Sequence, residues 1–151
     1  MPRDVIISDR GWNRIRGQMR ELSRSQVKVG LRAGPANDGV QIVDYAALNE
    51  FGTETIPARP FMRHTADTQE NNARAYVRRL VGPLLEGRMA VDNVLEAVGL
   101  WYQAALRRTI RQSPSWAVPN AKPTIAAKGS SVPLVDDGML VGAIDYEKIR
   151  R

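Results

Sequence analysis

Side chains able to do chemistry are few in this chain. It contains no cysteine, which removes disulfides, thiolate metal sites and cysteine nucleophiles together. Its single histidine, His64, rules out a multi-histidine zinc site within one chain and leaves a Ser-His-Asp triad only formally possible. No serine lies near His64 in sequence, and the acids Glu54 and Asp67 have no motif spacing around it, so a structural histidine is expected rather than a general base. Asp136 and Asp137 stand side by side before Gly138. Neighbouring side chains diverge in a turn, so a turn is expected there and not a cation site. Glu50 and Glu54 are four apart, but Gly52 breaks any helix between them, and pairing to Arg59 or Arg63 is the expected role. The stretch Gly138-Met139-Leu140-Val141-Gly142 lacks the Gly-Lys-Ser/Thr end of a phosphate loop. No catalytic, cofactor-binding or metal-ligating residue is assigned, and the chain is expected not to be an enzyme.

The elements around these residues can be read from hydrophobic period. The 151 residues fit one domain, which at this size buries roughly 70% of its unfolded surface. Residues 8 to about 24 read as an amphipathic helix with Ser8 as N-cap and Asp9 at its positive end. Gly11, Trp12, Ile15, Met19 and Leu22 fall on its apolar side, following Ile7, while Arg10, Arg14, Arg16, Arg20 and Arg24 fall on the other. Residues 26–33 alternate, with Val27, Val29, Leu31 and Ala33 on one face of a strand. The turn-rich residues 34–39 then lead to a second short strand at 40–44, predicting a hairpin.

Residues 45–51 look like two helical turns ended by Gly52. Pro57 and Pro60 keep residues 53–60 extended, and Pro60 opens a helix from Phe61 to about 81, which Gly82-Pro83 kinks or ends. The clearest helix runs from 91 to about 112. In it Val91, Val94, Leu95, Val98, Tyr102, Ala105, Leu106, Thr109 and Ile110 step by three and four. A long Pro/Gly loop is predicted over 113–137, then a final strand over 138–147, with Leu140, Ile144 and Tyr146 on one face and Lys148, Arg150 and Arg151 as a basic tail. The predicted organisation is one α+β domain over 1–151: a basic N-terminal helix (1–25), a core (26–112), the loop and the last strand. Its small antiparallel sheet packs on two long helices.

Charge narrows the function classes. The net charge is +6, and 18 of the 22 basic residues are arginine. Residues 1–32 hold 8 basic and 3 acidic residues, whereas residues 33–75 hold 3 basic and 6 acidic. An Arg-rich helix can bind phosphates in a salt-dependent way. Arginine over lysine is also the bias of protein–protein interfaces, and a basic head with an acidic middle suits packing between copies. No stretch approaches a membrane span or a secretory signal, so no membrane partner is expected and synthesis in the cytoplasm is.

Three segments together resemble one family. Val27-Lys28-Val29-Gly30-Leu31, then Tyr45-Ala46-Ala47-Leu48-Asn49-Glu50-Phe51-Gly52-Thr53, then Ile56-Pro57-Ala58-Arg59-Pro60-Phe61-Met62-Arg63 resemble the hallmark of phage virion morphogenesis proteins, the tail-completion or head–tail connector proteins of long-tailed phages. Pro119-Asn120, Thr124, Lys128-Gly129-Ser130-Ser131, Pro133-Leu134-Val135-Asp136, Gly138-Met139-Leu140 and Ala143-Ile144-Asp145-Tyr146 resemble the family's closing segment. One departure is Asp137, where threonine is expected. The resemblance covers about 27 to 146.

The resemblance implies a structural virion protein of the neck or tail, present in the host cytoplasm during assembly. It would form a ring of identical copies and dock to other connector, tail-terminator or tail-tube proteins, with weak nonspecific contact to DNA in the lumen. No cofactor is implied. The motif Glu50, Phe51, Gly52, Thr53, Pro57, Arg59, Pro60 and Phe61 is expected to be scaffold: Gly52 ends a helix, prolines fix Arg59, and Phe61 anchors the next helix to the sheet. Candidate contact residues are Arg10, Arg14, Arg16, Arg20 and Arg24, with Lys122 and Lys128 in the long loop. The alternative is a basic DNA-binding protein using the Arg-rich N-terminal helix.

Overall fold

The structure is a computed structural model that describes residues 10–34, 39–135 and 138–151, with Arg10 and Lys128 described in their backbone alone. Its elements are α1 (Arg10–Ser23), β1 (Ser25–Leu31), α2 (Ile42–Phe51), α3 (Phe61–Leu85), α4 (Val91–Arg111), a 3-10 turn (Ser113–Ser115), α5 (Lys122–Lys128), α6 (Met139–Ala143) and β2 (Ile144–Arg150). The fold is α+β: a two-stranded antiparallel sheet packs on α4, and the second long helix, α3, packs on α4 and not on the sheet as expected. The predicted cap at Ser8 and Asp9, part of the predicted 34–39 turn and the predicted Asp136-Asp137 turn lie outside the described residues.

The sheet is made from the two ends of the chain. β1 pairs antiparallel with β2, bringing Val29 opposite Tyr146, Leu31 opposite Ile144 and Val27 opposite Lys148. Opposed residues of an antiparallel pair share a face, so this face carries the apolar side chains. Tyr146 packs against α4 at Gly99, where an added Cβ would meet the Tyr146 ring at 2.3 Å. On the other face Lys28 stands opposite Glu147 and Gly30 opposite Asp145.

The expected hairpin does not form. Residues 42–51 are one helix, because Ile42, Ala46, Asn49 and Glu50 are its buried positions, a spacing of three and four that only a helix brings to one side. The Ile42 amide instead donates to the Gly34 carbonyl at 2.9 Å. The last strand is also displaced from its predicted place. Leu140 and Val141 are both buried, adjacent positions that an alternating strand cannot bury on one side, and they sit in the short helix α6. β2 therefore starts at Ile144 and takes Lys148 and Arg150 out of the predicted tail and into the sheet.

Two further expectations are corrected. Of the kink or end expected at Gly82-Pro83, the end does not occur: α3 continues to Leu85 with Pro83 inside it. In a last turn the missing proline amide removes only one bond, and Leu84, buried at 1% exposure, holds the turn against Val91, Val94 and Leu95. Gly87, at φ 75°, then reverses the chain into α4. The predicted 113–137 loop is partly helical, holding the 3-10 turn and α5. Pro123 suits the first turn of α5, where a missing amide costs nothing.

The core has two centres at opposite ends of the α3–α4 pair. One gathers Ile42, Ala46, Phe61, Leu106, Ile110, Leu134, Leu140 and Ile144. The other gathers Leu84, Val91, Val94 and Leu95, with Leu22 of α1 and Val27 of β1 against it. Between Phe61 and Leu84 helix α3 climbs about 35 Å at 1.5 Å per residue. Thus α2 and α6 cover one end of the long helices and α1 covers the other.

Candidate functional site

The motif residues meet in one joint where α2, the extended segment after it, α3 and the 118–120 segment converge. Glu50, at 5% exposure, lies at the end of α2 and turns its carboxylate onto the start of α3. One oxygen accepts the Met62 amide at 2.9 Å. The other accepts the Arg63 amide at 3.1 Å and the Arg63 Nε at 3.2 Å. The first amides of a helix have no partner within it, and α3 has no side-chain cap of its own at Pro60. Glu50 therefore caps α3 from another helix, with its charge at the positive dipole end. Arg63 also donates Nη2 to the Glu50 carbonyl at 2.8 Å. Of the two arginines expected to pair with Glu50, Arg63 does so.

Arg59 has a different partner set. It is buried, and donates Nε to the Val118 carbonyl at 2.7 Å and Nη2 to the Pro119 carbonyl at 3.2 Å and Asn120 Oδ1 at 3.3 Å. Its own amide donates to the Asn49 carbonyl at 2.6 Å. A guanidinium fork suits several carbonyls at once, so one side chain ties the motif to a segment about sixty residues on. Gly52, at φ 73°, ends α2 with its amide on the Leu48 carbonyl at 2.9 Å. A Cβ there would meet the Ala58 nitrogen at 2.8 Å, so glycine is required twice over. Thr53 Oγ1 accepts the Thr55 and Ile56 amides at 3.2 and 2.9 Å, making the turn that returns the chain toward Pro57, Arg59 and Pro60. Phe61 is fully buried in the first core centre.

Phe51 departs from this pattern. The residue is 72% exposed, with the Arg63 guanidinium 5.6 Å from the ring centroid. Val43 and Leu48 on the same helix are 41% and 40% exposed. At 100° per residue Asp44, Ala47, Leu48 and Phe51 form one stripe opposite Ile42 and Ala46. Helix α2 is thus apolar on both sides, and an apolar residue at every turn of a short helix gave no amphipathic signal in the sequence. Beside it lies a cleft of about 390 Å³ lined by Tyr45, Leu48, Ile56, Pro57, Pro119 and Thr124 among others.

The arginine helix also sits otherwise than expected. The line turned inward is Gly11, Ile15, Gln18 and Leu22, which moves Trp12 and Met19 to the flank at 55% and 50% exposure. Arg16, Arg20 and Arg24 are exposed. Arg14 is not free, since Nη2 donates to the Leu85 carbonyl at 3.2 Å and its chain lies over Gly87. Lys122 is exposed at the start of α5, and the side chains of Arg10 and Lys128 lie outside the described residues.

His64 stacks on Trp116, with centroids 4.3 Å apart and planes 12° from parallel. The Trp116 Nε1 donates to the Thr109 carbonyl at 2.9 Å, so the pair fastens α3 to the chain leaving α4. Among the described residues no three His, Asp or Glu side chains gather as a metal site would need, and no helix is long and apolar enough to cross a membrane. A charged cluster the sequence did not announce joins the sheet to α4. There Lys148 Nζ meets Asp92 at 2.7 Å and Glu96 at 3.5 Å, and Arg150 meets Asp92 at 2.9 Å. The Lys148 hydrogen bond, then the Arg150 contacts, hold the Asp92 carboxyl below its ordinary range, and Asp92 in turn raises Lys148. Comparison with protein families, curated proteins and solved structures finds no match for the chain.

Proposed function

We propose that the chain is a structural virion protein of the head–tail junction of a long-tailed phage, a neck, tail-completion or connector component. It forms a ring of identical copies and docks onto adjacent connector, tail-terminator or tail-tube proteins, working through surfaces and not through a reactive centre. The observation that carries this reading is the Arg59 bridge. The resemblance rests on two stretches far apart in sequence, the Glu50 to Arg63 motif and the closing segment from Pro119. Arg59 bonds directly to Val118, Pro119 and Asn120, and Leu134 shares a core centre with Phe61. The two stretches form one interlocked unit, as they would if both belong to the fold the resemblance names.

The test is to delete the coding sequence from the phage or prophage that carries it, and to label the protein in wild-type virions. Separated or leaking heads and tails, with label at the neck, support the proposal. Normal infectious virions without the protein overturn it.

A second reading, a DNA-binding protein, draws on the exposed Arg16, Arg20 and Arg24. Duplex binding that survives physiological salt would favour it, because nonspecific phosphate contact is lost steeply as salt rises.

A further inference from the structure

Two exposed helical stripes remain unexplained by the core. On α1, Arg16, Met19 and Arg20 fall within about 100° of one another, and Met19 is half exposed. On α2, Asp44, Leu48 and Phe51 follow the spacing of one helix face and point away from the core. The first stripe is basic around an apolar centre, and the second is acidic beside one. Neither Asp44 nor the two arginine side chains has a side-chain hydrogen bond or ion pair among the described residues, whereas Arg63, whose guanidinium lies over the Phe51 ring, is already engaged by Glu50.

The stripes cannot meet within one chain. Leu22 of α1 packs at the Leu84 end of the long helices and Ile42 of α2 packs at the Phe61 end, about 35 Å apart along α3. Complementary surfaces held at opposite ends of a rigid body join one copy to the next, head to tail. Such a contact closes into a ring when its rotation allows.

We infer that the occupant of the α2 face is the α1 stripe of a second copy of this chain, with Met19 packed against Leu48 and Phe51, and with Arg16 and Arg20 facing Asp44. This inference rests on the ring-forming reading above and names the two faces that would build the ring. The apolar centre supplies the contact area. The opposite charges steer approach and reject pairing of like faces.

The test uses the full chain in analytical ultracentrifugation over a concentration series. Arg16→Glu with Arg20→Glu, and separately Phe51→Asp, should each remove the higher-mass species or weaken it more than tenfold, while circular dichroism stays native. An equimolar mixture of the two variants should recover a species of two copies and nothing larger, because each variant keeps one intact face. Adding Asp44→Arg to the double arginine variant should restore part of the assembly. Oligomers unaffected by all these changes overturn the inference and leave the ring-forming reading standing. A wild-type chain that stays monomeric throughout removes the second copy as occupant, and the deletion experiment still decides the virion reading.

Discussion

The Arg63 backbone amide and the Arg63 Nε converge on the same oxygen of Glu50, at 3.1 and 3.2 Å. One residue of α3 is thus held twice by one carboxylate at the end of α2, while the other oxygen takes the Met62 amide. The bonds are charge-assisted and the acid is buried, which makes each more costly to lose than a surface ion pair.

Replacing Glu50 with Gln keeps an acceptor for one amide but removes the charge. It should lower unfolding free energy by about 1–2 kcal/mol, and Glu50→Ala by about 2–4 kcal/mol, because two helix amides and the Arg63 Nε lose their acceptor while Nη2 keeps the backbone carbonyl. Urea unfolding measures both. A midpoint unchanged in Glu50→Ala would show that water caps α3 equally well.

Gly99→Ala tests the packing of helix on sheet. The added methyl would lie 2.3 Å from Tyr146 Cδ2 and 2.7 Å from Cγ, in a strand position paired with Val29. Overpacking of this kind costs about 1–3 kcal/mol. In Tyr146→Ala every clashing ring atom is absent, so Gly99→Ala should cost less there than in the wild type. Equal costs in both backgrounds would break the proposed coupling.

These two sites differ in how much of them the sequence displays. Helix α4 shows its buried side plainly, since Val91, Val94, Leu95, Ala105, Leu106, Thr109 and Ile110 keep helical spacing through its length. Gly99 and Gln103 are buried too, but their reason lies in Tyr146 and the Ile144 carbonyl, which Gln103 reaches at 2.8 Å. Strand pairing was hidden for a similar cause. The 40–44 stretch is short enough to fit either period, and β1 finds its partner more than a hundred residues away, where no local pattern points. Motif spacing placed Gly52 and Phe61 correctly, because turn closure and core anchoring are local. It offered Glu50 or Glu54 as a partner for Arg59, whose side chain instead bonds Val118, Pro119 and Asn120, and it counted Phe51 as scaffold when the residue lies outside the core.

Arg59 should control the order of the chain after α4. Arg59→Ala removes the donors to Val118, Pro119 and Asn120, and Arg59→Lys supplies a single ammonium that cannot span the same acceptors. Both variants should raise amide hydrogen exchange in residues 117–128 at least tenfold, with little change in the middle of α4. Protection unaltered in Arg59→Lys would mean that the fork geometry is unimportant and that burial alone orders the segment.

The sheet–helix charge cluster gives the stability a pH signature at both extremes. Asp92 is held below its ordinary value first by the Lys148 hydrogen bond, with Arg150 adding to it. A carboxylate depressed in the folded state contributes stability that is present above its unfolded value of about 4, and loses it as pH falls through the lower folded value. Lys148 is raised, first by its bond to Asp92 and then by Glu96. Its contribution is complete below about pH 10.4 and disappears as pH rises through the raised value. Urea midpoints should therefore drop below pH 4 and again above pH 10. Asp92→Asn should flatten the acid limb and Lys148→Met the alkaline one. Because the partners are only partly buried, added salt should shrink both limbs. Asp92→Asn will not abolish acid sensitivity entirely, since Asp145 is also depressed, first by the Tyr146 backbone amide and then by Arg32. The part of the acid limb that remains in Asp92→Asn should disappear in the double variant with Asp145→Asn. A double variant as acid-sensitive as the wild type would place the limb elsewhere in the chain.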